Sequence, residues 1–84
     1  MPRAKGHDAR AARLLELLEN ARFNLGRRMF EAREIETRMR QARMRANGAL
    51  DGLLLPGEER LKEHMNGLAE YIEHIDHAIR TLRT

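Results

Sequence analysis

The sequence predicts an all-α protein built as an antiparallel helical hairpin, two copies of which pair into a four-helix bundle. Three observations carry this. The first is composition: among the β-branched residues there is no Val, four Ile and three Thr in 84 residues, too few for a sheet. The second is that Ala, Leu, Met, Glu and Arg, all strong helix formers, dominate a chain that is 35% charged. The third is periodicity, because two long apolar heptad patterns are separated by a connector rich in turn signals.

Residues 1–7 read as a short disordered basic tail ahead of a single domain over 8–84. Asp8 is a plausible N-cap, since its carboxylate can accept from the free amides of a first turn. From there Leu14, Leu18, Ala21, Leu25, Arg28, Ala32, Ile35, Met39, Ala42 and Ala46 alternate spacings of four and three. That pattern predicts a first helix over about 8–48, stopped by Asn47-Gly48. Leu53 continues the heptad, so the end is open between 47 and 55.

Gly48 to Gly57 forms the connector, with Asp51-Gly52 and Pro56-Gly57 as turn signals. The second helix is expected over about 57–83. Glu58 and Glu59 stand in its first turn and Arg80 and Arg83 in its last, as the helix dipole favours. Leu61, Met65, Leu68, Ile72, Ile75, Ile79 and Leu82 supply its seam. Folding back at the connector sets Arg38, Arg40, Arg43 and Arg45 beside Glu58, Glu59 and Glu63. This layout resembles the small helical-hairpin co-chaperones of bacterial type III secretion: a long first helix, a Pro56-Gly57-Glu58-Glu59 turn, and a second helix studded with Leu, Ala and Ile. The resemblance implies a hairpin that binds protein, and no functional residue is carried over from it.

The unequal lengths of the two helices, about 60 and 40 Å at 1.5 Å per residue, predict a functional surface. Leu14, Leu15, Leu17 and Leu18 are expected to project beyond the hairpin. Phe23, Phe30 and Met44 fall at one heptad position, spaced by seven and fourteen, on the outer face of helix 1. Apolar surface on two sides of one helix calls for a partner, a second copy first and another protein second. The competing reading breaks helix 1 near Asn20–Gly26 and folds residues 8–19 back as a third helix.

Other chemistry is sparse. With no Cys and no Ser there are no disulfides, thiolate sites or serine nucleophiles, and no phosphate loop or converging acid pair is present, so an enzyme is not expected. No cofactor is expected either. Arg28 in the apolar seam either finds a counter-ion, and a turn near residues 52–53 matches it to Asp76 as a buried pair that would fix register, or it snorkels outward past Met29 unpaired. Glu70, Glu73, His74 and His77 share one side of helix 2, but their Glu-x-x-x-His order and the lack of a second His on helix 1 make them weak metal ligands.

A net charge of +3 and an Arg-rich helix 1 permit nucleic acid as the main rival partner, with Arg22, Arg27, Arg33 and Arg40 reaching phosphates beside Phe23 and Phe30. A membrane-surface helix is the remaining alternative. No secretory signal or apolar span is visible, so the expected location is the cytoplasm.

Overall fold

A computed structural model describes residues 5–84, with side chains from Ala9 onward. Two helices account for nearly all of it: α1, Lys5–Arg45, and α2, Asp51–Arg83. They run antiparallel as a rod of 70 × 14 × 14 Å. Among the described residues there is no strand, and no helix is long and apolar enough to cross a membrane.

The stop between the helices follows local chemistry. Asn47 and Gly48 take left-handed φ values of 50° and 90°, which Asn tolerates and Gly adopts freely. Helix 1 therefore ends at Arg45, two residues before the earliest end expected, and Leu53 belongs to α2. The expected second turn at Pro56-Gly57 is absent, because α2 begins at Asp51 and Pro56 lies inside it. Proline interrupts a helix chiefly by leaving the carbonyl four residues earlier without a donor. Here that residue is Gly52, which is exposed along with Pro56, so the cost of the lost donor is lower than it would be in a buried stretch.

At the other end, α1 begins at Lys5, which puts Asp8 inside the helix and not at its cap. Residues 1–4 of the expected tail lie outside the described residues. The break at Asn20–Gly26 does not occur: α1 is continuous for 41 residues, which removes the three-helix alternative.

The seam on α2 matches the expected one, with Leu68 and Ile79 buried and Leu61, Met65, Ile72, Ile75 and Leu82 half-buried. On α1 one column differs. Leu18, Leu25, Ala32, Met39 and Ala46 face inward as expected, but the second buried column is Leu15, Arg22, Met29, Glu36 and Arg43. It replaces Leu14, Ala21, Arg28, Ile35 and Ala42, one residue further round. The displaced column is the more apolar of the two, and so periodicity selected it.

Two glycines give opposite expectations. Gly48→Ala puts a Cβ on a φ of 90° and should destabilise the fold by about 1–2 kcal/mol. Gly67 lies mid-helix with nothing within 4 Å of an added Cβ, so Gly67→Ala should stabilise by about 1 kcal/mol. Urea unfolding of the two variants should move in opposite directions.

Candidate interaction surfaces

Very little apolar surface is enclosed. Among the described residues only Ala32, Leu68 and Ile79 are buried hydrophobics. Nine large apolar side chains are exposed, including Phe23 at 68%, Phe30 at 62%, Met44 at 65% and Leu53 at 76%. The radius of gyration is 19.5 Å, against about 12 Å for a compact chain of this length. The accessible surface is 6922 Å², against about 5,200 Å² for a compact monomer of 9.8 kDa.

The leucine cluster at the start of α1 divides. Because α2 starts at Asp51 and has 33 residues, it reaches further along α1 than the expected helix from 57. An Arg83–Glu19 ion pair marks that reach. Leu15 and Leu18 are accordingly half-buried, while Leu14 and Leu17 stay exposed at 44% and 59%. Phe23, Phe30 and Met44 all stand on the outer side of α1.

Ion pairs bind the helices along one flank and at the turn. Arg22 Nε donates to Asp76 Oδ1 at 2.9 Å. The expected Arg28–Asp76 pair is therefore not formed. The chain turns at Asn47–Leu50 and not at 52–53, so the register slides by about two helical turns and delivers Asp76 to Arg22. Arg28 is exposed, on the unburied column. It lines an open groove of about 400 Å³ with Ala21, Leu25, Tyr71, His74 and Ile75.

At the turn end, Arg43 grips Glu58 with two bonds, Nε to Oε2 at 2.6 Å and an Nη to Oε1 at 3.2 Å. Its other Nη lies 3.8 Å from Asp51 Oδ1. Glu58 is 2% exposed. The Arg43 hydrogen bonds hold its carboxyl below the ordinary glutamate value, against the opposing pull of burial, with help from the charges of Arg43, Lys62 and Arg40. The same pair raises the Arg43 guanidinium. Only Arg43 of the expected basic block meets the acidic one; Arg38 and Arg40 pair within α1, with Glu34 at 3.7 Å and Glu36 at 3.2 Å. No signal in the sequence singled out the Arg43–Glu58 clamp from its neighbours.

The remaining candidates are scattered. Of the four arginines expected to reach phosphates, Arg22 is tied to Asp76 and Arg40 to Glu36, while Arg27 and Arg33 are exposed. Glu70, Glu73, His74 and His77 are all exposed, and no group of three or more His, Asp or Glu side chains converges among the described residues. Comparison with protein-family models, curated proteins and solved structures gave no match.

Proposed function

We propose that this chain is a small non-enzymatic protein-interaction module, a hairpin that works as half of a larger helical bundle. The single observation behind the proposal is the ratio, among the described residues, of three buried apolar side chains to nine large exposed ones. Ordering a residue costs about 1–2 kcal/mol of backbone entropy, and a chain of 84 residues with so thin a core has little burial to set against it. A second layer of helix supplies the missing burial.

The first expected partner is a second copy, joined through Phe23, Phe30 and Met44. These side chains point away from α2, so α1 carries apolar columns on two sides and suits the centre of a four-helix assembly. The charges beside them favour self-pairing. On that flank Arg33, Arg40, Lys62, Arg80 and Arg83 are matched by Glu16, Glu19, Glu59, Glu73 and Asp76, which leaves no net repulsion between copies. Recruitment of a different protein, as an adaptor or co-chaperone does, uses the same exposed surfaces. The rival reading, nucleic-acid binding, retains Arg27 and Arg33 beside the two phenylalanines.

Light scattering on the intact chain tests this. The expected mass is twice 9.8 kDa, falling to one chain in Phe30→Asp with helicity retained. A wild-type chain that stays monomeric at all concentrations removes the homodimer. Duplex DNA or RNA bound tightly, with steep weakening in salt, promotes the rival instead.

A further inference from the structure

The two flanks of the hairpin differ in charge, and the difference points to a second partner. The buried columns of α1 keep the same heptad positions from Ala11 to Ala46, so residues seven apart hold the same side throughout. The groove fixes one side, with two α1 columns, one through Ala21 and Arg28 and one through Asn24, opposite Tyr71 and His74. The Arg22–Asp76 and Arg83–Glu19 pairs fix the other. Extending the groove columns by sevens adds Leu14, Ile35 and Ala42 from α1, and Leu53, Gly67 and Ala78 from α2. Leu14, Ile35, Leu53 and Tyr71 are all exposed there.

The same columns carry Arg28, Arg38, Arg45 and Arg60 against Glu31 alone. Arg28, Arg45 and Arg60 make no ion pair among the described residues, and the Arg38 contact to Glu34 is a loose 3.7 Å. The opposite flank balances its charges, so the excess positive charge of the paired helices is concentrated on the groove face.

We infer that the groove face binds an acidic amphipathic helix of another protein, whose apolar stripe covers Ile35, Leu53 and Tyr71 while its carboxylates meet Arg28, Arg38, Arg45 and Arg60. A second copy fits poorly, because it brings eight arginines together over two glutamates, a like-charge juxtaposition that opposes association. A nucleic acid supplies anions but no aliphatic stripe, and leaves the leucines and Ile35 in water. A helix laid along the groove meets both demands, in the manner of amphipathic helices seated on apolar grooves.

The inference rests on the reading of the chain as a protein-binding module and is tested separately from the homodimer. The probe is a fluorescein-labelled four-heptad peptide with Leu at a and d and Glu at e and g, followed by anisotropy with the full-length protein. Binding is expected at low salt, with helix induced in the peptide. It should weaken about tenfold or more in Arg28→Glu/Arg38→Glu/Arg60→Glu and by less than about twofold in Arg33→Glu/Arg80→Glu. All five arginines are exposed, so circular dichroism should show both variants folded.

No binding of the acidic peptide overturns the inference, as does equal binding of its Lys counterpart or tighter binding of a labelled RNA. A dimer that dissociates on Ile35→Asp but survives Phe30→Asp also overturns it, by placing a second copy on this face. A dimer broken by Phe30→Asp without peptide binding removes this inference and leaves the homodimer standing. A monomer that binds the peptide does the reverse.

Discussion

Leu68→Ala is expected to bring the thermal unfolding midpoint of this chain down toward room temperature. Leu68 is 5% exposed and, among the described residues, one of three buried apolar side chains, midway along α2. Truncating a buried leucine costs about 2–5 kcal/mol, from lost transfer energy and from the cavity left behind. A small scaffold seldom has more than about 3–5 kcal/mol in total, so one such substitution removes most of the margin. Leu53→Ala is the control: Leu53 is 76% exposed, and its loss should shift stability by no more than about 0.5 kcal/mol. Far-UV circular dichroism against temperature separates the two. Equal melts for both variants mean that the helices are not held by the seam described above.

The same seam shows which parts of the structure were legible in the sequence. The stop at Asn47-Gly48 was, because left-handed backbone needs just those residue types. The α2 seam was too, since its Leu and Ile residues leave one apolar stripe and no competitor. The α1 seam was legible in one column only. Leu14, Ala21, Ile35 and Ala42 make an apolar column beside the one that is buried, whereas Arg22, Glu36 and Arg43 occupy the buried one. Hydropathy favours the first, while the charge partners Asp76 and Glu58 make the second workable.

Register was illegible for a related reason. Two turn signals stood in the connector, and nothing local decides between Asn47-Gly48 alone and a second turn at Pro56. Moving the pivot from 52–53 to 47–50 alters each cross-helix pair by about two turns of helix, which is why Asp76 meets Arg22 and Arg28 faces the groove. Of the exposed apolar side chains, Phe23, Phe30 and Met44 were legible because nothing on the far side of α1 competes for them. The groove face was not, since its apolar column had been read as core.

The second large effect is expected at the Arg43–Glu58 clamp. Glu58→Lys places a cation at a position that is 2% exposed, beside Arg43 and close to Arg40 and Lys62. It should lower the melting midpoint by more than Asp76→Lys, because Asp76 is only half-buried and its partner Arg22 can turn to water. Reversing both members, Arg43→Glu/Glu58→Arg, should recover at least half of the loss, since the pair is mutual and an arginine fork can grip a carboxylate from either helix. No recovery would mean that Glu58 is needed for its shape and not for its charge.

Acid gives an independent reading of the same contact. The Glu58 carboxyl is held below its ordinary 4.5 in the folded chain, so folding favours the ionised form. Its contribution is therefore fully present above about pH 5 and is lost as pH falls through the lowered folded value. The Arg43 shift is upward and leaves that group charged throughout this range. Urea midpoints measured from pH 7 down to pH 3 should accordingly fall less steeply below pH 4 in Glu58→Gln than in the parent chain. Parallel curves for the two proteins would mean that the acid sensitivity of the fold does not arise at this clamp.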